Sequence, residues 1–240
     1  MGRFRTSAPR LLMAASHLLH LATAAHGLRV ALLSGSTRTS SPPTVLHPRV
    51  NAYIRNALEQ RGHAVSHVDP RDLPLLERPH FAYPRGMAPA RMREIHSILE
   101  DADCYVCITP EYNHSPSPAL LNVLNHFGSS TFSFKPSAIG QWGGVRAGAA
   151  LRTTLSELGC LPVSAMIHIP KAQEVLGPDG SIESSKEESN NDPERWRKYC
   201  GRCFSQLEWW AEATRRHREV VDPFDRSPVF IESPDQRNAP

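Results

Sequence analysis

The alternation of predicted strands and helices begins at the run Leu28-Arg29-Val30-Ala31-Leu32-Leu33-Ser34. The turn-rich stretch Gly35–Pro43 follows this run. A short apolar run that ends in a turn is typical of a strand buried on both faces. Further strands are predicted downstream, and a predicted helix separates each from the next. Strands that alternate with helices predict a parallel sheet covered by helices on both faces, so the fold class is α/β.

Apolar periodicity and the positions of glycine and proline set the other predicted elements. Helices are predicted at Pro48–Arg61, Pro89–Leu99, Pro116–Phe127, Val145–Leu158 and Glu194–Val220. Strands are predicted at Ala64–Val68, Asp103–Thr109, Ser137–Gly140 and Leu161–Ile169. Residues 69–87, with their four prolines, predict a long connecting loop, the excursion. Because strands usually have about five or six residues, the fragment Ser137–Gly140 predicts that part of the fourth strand has been lost.

Composition indicates one globular domain with extensions. The 240 residues are 40% hydrophobic and 21% charged, which suffices for a large core. Mean hydropathy is −0.38, and no apolar run is long enough to span a bilayer, so no integral membrane segment is expected. Five cysteines are too few for a disulfide scaffold.

Positive charge is concentrated at the start of the chain. The net charge is +3, but residues 1–58 hold seven arginines and no acid, which leaves −4 for the remainder. A nucleic-acid binder gathers basic residues together with aromatic ones on one face. Here the excess lies in an N-terminal segment, so we expect no nucleic-acid partner.

Residues 1–27 resemble a targeting segment in layout. Early arginines precede the apolar stretch Leu11–Ala25, and Ala22-Thr23-Ala24 offers a small-residue cleavage site. We therefore expect secretory or organelle targeting, with a mature N-terminus near His26 or Gly27. The alternative is a disordered extension upstream of a start at Met13, in which case the protein is cytoplasmic. Residues 221–240 are predicted to form a C-terminal tail.

The loops beyond the carboxyl ends of the strands are the places to look for a site, because open α/β sheets bind ligands there. The first loop, Ser34–Ser41, combines hydroxyls, one glycine and Arg38 just before a helix, which suits a phosphate. It lacks both Gly-Lys-Ser/Thr and G-x-G-x-x-G, so a terminal phosphate fits it better than a pyrophosphate. The alternative is a plain polar turn between strand and helix.

Two further loops complete this edge of the sheet. Thr109–Pro118 holds three prolines, which stiffen it, and its amides, asparagine and tyrosine suit a planar polar ring. Gly140–Arg146 holds three glycines that let the backbone approach a ligand closely. Trp142 in this third loop is either a hydrophobic wall of the site or a packed aromatic.

Together these loops resemble the NADPH-dependent FMN reductase family of flavodoxin-like proteins. The resemblance covers roughly Leu28 to Arg218, and its motifs are Gly35-Ser36-Thr37-Arg38, Pro110-Glu111-Tyr112-Asn113-His114-Ser115 and Gly143-Gly144-Val145-Arg146. It implies a flavodoxin-like three-layer sandwich over residues 28–220, with a five-stranded parallel sheet in the order 2-1-3-4-5. It also implies an FMN cofactor and NADPH or NADH as co-substrate.

The resemblance assigns roles to particular residues. It implies phosphate binding by Ser36, Arg38 and Ser40, and ring contacts from Pro110, Glu111, Tyr112, Asn113, Gly143 and Gly144. No catalytic side chain is expected, because the cofactor performs the redox chemistry. The acceptor would be a small molecule such as a quinone, an azo compound, a flavin or a metal ion, and the protein a homodimer or tetramer. Ser41–His47 lengthens the first loop relative to the family.

The expected function is therefore an FMN-dependent oxidoreductase. One rival is a flavin electron carrier that never meets a nicotinamide. Another is a non-catalytic scaffold that lost its flavin together with part of strand four.

Some other residues are expected to be structural. Cys104 and Cys107 point to opposite faces of a strand and are predicted as core. Cys200 and Cys203 lack a second cysteine pair, so no metal site is expected. His114 is assigned either to the site or to the surface, and Trp209-Trp210 to the core or to a subunit interface.

Overall fold

The structure is a computed structural model that describes residues 27–38, 45–183 and 191–226. The cleavage site and almost all of the predicted targeting segment lie outside the described residues, as does the tail beyond residue 226. Residues 39–44, in the first loop, and residues 184–190 also lie outside them.

Strands and helices alternate along the described chain. The strands are β1 Arg29–Ser34, β2 Ala64–Val68, β3 Cys104–Tyr112, β4 Ser115–Pro116, β5 Pro136–Trp142 and β6 Leu161–Ile169. The helices are α1 His47–Glu59, α2 Ala90–Asp101, α3 Pro118–Phe127, α4 Ser129–Phe132, α5 Arg146–Glu157, α6 Ala172–Val175, α7 Pro193–Arg218 and α8 Pro223–Arg226. Short 3-10 turns lie at Pro70–Asp72 and His80–Ala82.

Five of the strands form one parallel sheet in the order β2-β1-β3-β5-β6. This confirms the predicted order, in which the chain starts near the centre, runs to one edge and then crosses back to the other. The remaining strand, β4, pairs antiparallel with the end of β3. The carboxyl ends of β1, β3 and β5 therefore meet at the middle of one sheet edge.

Alternate residues of the strands face two separate cores, as strand geometry requires. On one face Leu32, Val106 and Ile108 pack with α1 and α7. On the other face Leu33 and Tyr105 pack with α2, α3 and α5. These two cores make the three-layer sandwich that was predicted.

The prediction of a truncated fourth strand is wrong. That strand is β5, whose seven residues are all buried and pair with β3 on one side and β6 on the other. Pro136 is tolerated as its first residue, where a missing N–H costs little. Gln141 looks like a loop residue in the sequence, but it is buried in the strand because it accepts from Gly148 N at 2.6 Å and lies 2.6 Å from His168 Nδ1.

The excursion between β2 and α2 is fastened to α3. Asn122 accepts from Leu76 N at 2.9 Å and donates to the carbonyl of Pro74 at 2.9 Å. His126 Nε2 lies 2.9 Å from the same carbonyl oxygen. Several apolar side chains of the excursion remain on the surface, among them Leu75, Phe81 and Met87.

The cysteines are core residues, which confirms the prediction made for Cys104 and Cys107. Cys104 lies in one core and Cys107 in the other, and Cys200 and Cys203 pack along α7. All five are unpaired and buried. Within the described residues no group of three or more histidines, cysteines or carboxylates is placed to hold a metal ion, and no helix there is long and apolar enough to cross a membrane.

Trp209 and Trp210 are not core residues. Their rings meet edge to face at 4.6 Å on the outer side of α7, and they are 64% and 41% exposed. The core positions of this helix belong instead to Cys203, Leu207 and Ala211.

The substitution Gly148→Ala tests how tightly β5 and α5 are packed. A Cβ at Gly148 would lie 2.4 Å from Gln141 Nε2, so the buried amide has to move. We expect the free energy of unfolding, measured by urea denaturation, to fall by about 1–3 kcal/mol. The matched control is Gly201→Ala in α7, where the nearest atom lies 3.9 Å away. There we expect stabilisation of up to about 1 kcal/mol from helix propensity. Equal effects at both glycines would contradict the packing described for Gln141.

Candidate functional site

The three loops predicted to form a site are in contact at the carboxyl edge of the sheet. Ser117 donates through its hydroxyl to the carbonyl of Gly35, which ties the first loop to the start of α3 at 2.5 Å. Arg38 places its guanidinium carbon 5.4 Å from the centre of the Tyr112 ring. Glu111 reaches the third loop and the start of α5. The sheet order thus brings together segments that are more than 100 residues apart.

The first loop leaves β1 closely packed against β3. A Cβ at Gly35 would lie 2.5 Å from the carbonyl oxygen of Ile108, so glycine is the residue that fits there. Ser36 is buried, and its hydroxyl accepts from Arg38 N at 3.4 Å. The predicted phosphate ligand Ser40 lies outside the described residues.

The second loop, predicted as a stiff loop, is a β-hairpin. β3 continues through Pro110, Glu111 and Tyr112, and Tyr112 pairs with Ser115. Asn113 and His114 form the two-residue turn with φ of 51° and 63°. Two-residue hairpin turns favour positive φ at both central residues, and asparagine tolerates it well. Because this segment is rich in proline, the sequence did not predict a hairpin here.

Glu111 joins the hairpin to the start of α5. Its side chain is 8% exposed. One carboxylate oxygen accepts from the backbone N–H groups of Arg146 at 2.6 Å and Ala147 at 3.1 Å. The other lies 3.0 Å from His114 Nδ1. Hydrogen bonds from His114 and from the two amides hold the pKa of Glu111 below its ordinary value.

The third loop is pressed against this carboxylate. A Cβ at Gly144 would lie 2.2 Å from the Glu111 carboxyl carbon, so a side chain does not fit there. Gly143 adopts φ of 78°, a backbone conformation that favours glycine. Both predicted glycines are therefore required by the local geometry. Trp142, the last residue of β5, is buried in the core beneath α1 and α7, so it is a packed aromatic and not a wall of the site.

Sequence reasoning missed a polar cluster beside the first loop. Asn51 of α1 donates to the Ser34 hydroxyl at 3.1 Å and lies 3.2 Å from His67 Nε2. Asn51 Oδ1 and His47 Nδ1 are buried and have no hydrogen-bond partner among the described residues. The available signal was the pair of polar residues His47 and Asn51 four apart on the buried side of an amphipathic helix.

The fold and these loops define a class: flavodoxin-like α/β proteins with a site at the carboxyl edge of the sheet. The family model described as NADPH-dependent FMN reductase matches residues 28–174. The chain belongs to this family, which confirms the resemblance seen in its motifs.

Two similar curated proteins come from Oryza sativa subsp. japonica. One, described as probable NADPH:quinone oxidoreductase 2, is 35% identical over 103 residues, or 43% of this chain and 49% of that protein. The other, described as probable NADPH:quinone oxidoreductase 1, is 31% identical over 134 residues, or 55% of this chain and 66% of that protein. The chain thus spans about half to two thirds of the length of these relatives.

Solved structures show the same fold. The flavoenzyme NAD(P)H:(acceptor) oxidoreductase FerB from Paracoccus denitrificans superposes with a TM-score of 0.56 at 23% identity, covering 77% of this chain and 98% of that one. RosB, solved with bound 8-demethyl-8-formylriboflavin-5'-phosphate, gives a TM-score of 0.55 at 14% identity, covering 87% and 88%.

The substitution Glu111→Gln tests the contact between the hairpin and α5. A glutamine keeps one acceptor oxygen but brings an NH2 group toward N–H donors, so we expect faster hydrogen exchange at Arg146 and Ala147. In the wild type, the protection of these two amides should be complete at neutral pH. It should decrease as pH falls below the ordinary range of glutamate, because the pKa of Glu111 is lower in the folded than in the unfolded protein. Glu174→Gln, at an exposed pair with Lys171, is the control. Unchanged exchange at Ala147 would contradict the proposed helix cap.

Proposed function

We propose that this protein binds FMN beyond the carboxyl ends of β1, β3 and β5 and passes a hydride from NAD(P)H through it to a quinone, flavin or similar acceptor. Family membership and the descriptions of the rice relatives support this proposal. The observation that carries it is the glycine pair of the third loop, held against the β3–β4 hairpin by Glu111.

The first loop fits a phosphate group. Helix α1 begins with no acidic residue in its first turn and, among the described residues, no side-chain cap, so its N–H groups favour an anion. Ser36 adds a hydroxyl and Arg38 a full positive charge. The unpartnered atoms of His47 and Asn51 lie at the same end of α1 and suit a hydroxylated ligand or bound water. Ser40 would add a further hydroxyl.

The other two loops fit a planar ring. Tyr112 and Asn113 border the edge from the hairpin, and Gly143 and Gly144 border it from the third loop with backbone alone. Glu111 acts by holding the two sides at a fixed separation. Pro110 lies within β3, where its carbonyl accepts from the Thr109 hydroxyl at 2.8 Å, so its role is to set the strand end. FMN, when bound, supplies the hydride-accepting chemistry, and the residues of the chain bind and orient it.

The complete β5 bears on the rival functions. A scaffold that lost its flavin was inferred from a truncated strand, and that premise no longer holds because all seven residues of β5 are in the sheet. The electron carrier differs from the reductase only in whether a nicotinamide reaches the ring.

Colour distinguishes these functions. The purified chain should turn yellow with FMN and should bleach when NADPH or NADH is added without oxygen. Protein that stays yellow with both nicotinamides would support the electron carrier. Protein that cannot be reconstituted with FMN would refute the proposal.

Arg38→Ala tests the phosphate position. A hydrogen bond to a charged group contributes roughly 1.5–3 kcal/mol, so we expect the affinity for FMN to fall on the order of tenfold to a hundredfold. Riboflavin, which lacks the phosphate, should bind both proteins almost equally. The control is Arg91→Ala, which removes a surface pair with Asp72 and should leave flavin affinity unchanged. Flavin fluorescence titrations measure all three proteins, and unchanged FMN affinity in Arg38→Ala would remove this residue from the site.

We also propose that the protein is a homodimer or larger assembly. The exposed pair Trp209 and Trp210 on α7 supports this, since aromatic residues are enriched at interfaces. Light scattering at micromolar concentration should give at least twice the chain mass. Trp209→Glu should yield monomers, whereas Leu75→Glu, at an 84% exposed site on the excursion, should not. A monomeric wild type would contradict the assembly, and monomers from Leu75→Glu alone would move the interface to the excursion.

A further inference from the structure

His114 lies at the tip of the β3–β4 hairpin, on the solvent side of the proposed flavin site. Its side chain is 67% exposed, and its backbone has φ of 63°. It sits next to Asn113, which the family resemblance places against the ring. The role assigned above to the bound cofactor does not involve this residue.

Two groups of opposite charge contact the same ring nitrogen of His114. The Glu111 carboxylate from β3 lies 3.0 Å from Nδ1, and the Arg146 guanidinium from α5 lies 3.2 Å from it. The carboxylate accepts a hydrogen bond only if Nδ1 bears a hydrogen, and the guanidinium donates one only if Nδ1 is bare. The ring thus keeps a partner in either state of Nδ1. The first loop contributes the charge of Arg38, which lies over the ring of nearby Tyr112.

The other ring nitrogen, Nε2, makes no hydrogen bond within the described residues. With Nδ1–H held by Glu111, a charged imidazole can give up its Nε2 proton and keep its orientation. A buried carboxylate that fixes the tautomer of a histidine and stabilises its charged form is the arrangement found in acid–base catalysis. Exposure to solvent allows the ring to be recharged.

We propose, resting on the function proposed above, that His114 donates a proton to acceptors that take up protons together with electrons. A quinone becomes a hydroquinone by gaining one hydride and one proton. NAD(P)H is the source of the hydride and is oxidised to NAD(P)+, while the charged imidazole loses its Nε2 proton to the second quinone oxygen. The neutral imidazole then takes a proton from water. Glu111 is a positioning residue in this step.

Acceptor choice separates proton donation from a structural role. Ferricyanide takes one electron and no proton, whereas a benzoquinone takes both. We expect His114→Asn to lower kcat/KM for the quinone about a hundredfold, the lower end of what a positioned acid contributes, with ferricyanide reduction within about twofold of wild type. Asparagine tolerates the positive φ at this position, so the hairpin is kept.

An exposed histidine outside the site loops supplies the control. His217→Gln, at an exposed position on α7, should match the wild type with both acceptors. An equal loss with both acceptors, or an unchanged quinone rate in His114→Asn, would overturn the role of His114. A wild type that reduces neither acceptor would instead overturn the proposed function.

A measurement without cofactor tests the positioning by Glu111. The 15N shifts of the His114 ring in the FMN-free protein report which nitrogen bears the hydrogen. The neutral ring should be the Nδ1–H tautomer in the wild type and should move toward bare Nδ1, held by Arg146, in Glu111→Gln. A bare Nδ1 in the wild type would overturn the proposal, because the proton would then be held by the wrong nitrogen.

Discussion

The Glu111 carboxylate caps the start of α5, where the residue before the helix supplies no acceptor. A helix N-terminus presents unpaired N–H groups, and the residue before α5, Val145, has no side chain that accepts from them. Glu111 supplies the acceptor from β3, a strand paired on both sides within the sheet. The position of the helix start, and with it that of Gly143 and Gly144, is therefore set by the central strands. Residues positioned by strands and helices are held more precisely than residues positioned by loops alone.

The sequence predicted well those parts of the fold that local patterns determine. The bounds of β2 and β6 match the prediction, and those of α1 and α5 agree within two residues, because apolar periodicity and a terminal glycine mark them. The same alternation placed Cys104 and Cys107 in different cores. The order of the strands depended on the family motifs, since alternation alone is compatible with several parallel orders.

Long-range hydrogen bonds account for what was missed. Gln141 lies beyond the predicted strand fragment Ser137–Gly140, yet it is buried in β5. A glutamine in a buried strand is costly unless it is paired, and its partners Gly148 and His168 lie on other elements. The cap provided by Glu111 likewise joins residues 35 apart. For Trp142 the sequence left two alternatives, a wall of the site or a packed aromatic, and strand alternation turns its side chain into the core. For Gln141 and for the Glu111 cap, the missing information was the identity of a distant partner.

Three arginines of the basic N-terminal quarter, Arg29, Arg38 and Arg49, take separate positions in the described fold. Arg29 enters β1 at the amino edge of the sheet and pairs with Asp101 and Asp103. Arg49 donates to the carbonyl of Leu176 at 2.7 Å and so fastens α1 to the segment after α6. Arg38, beyond the carboxyl end of β1, lies instead over the Tyr112 ring. Of these three described arginines, Arg29 and Arg38 therefore lie at opposite edges of the sheet. Arg38, at the carboxyl edge, stands where an anionic ligand gains most from a helix N-terminus.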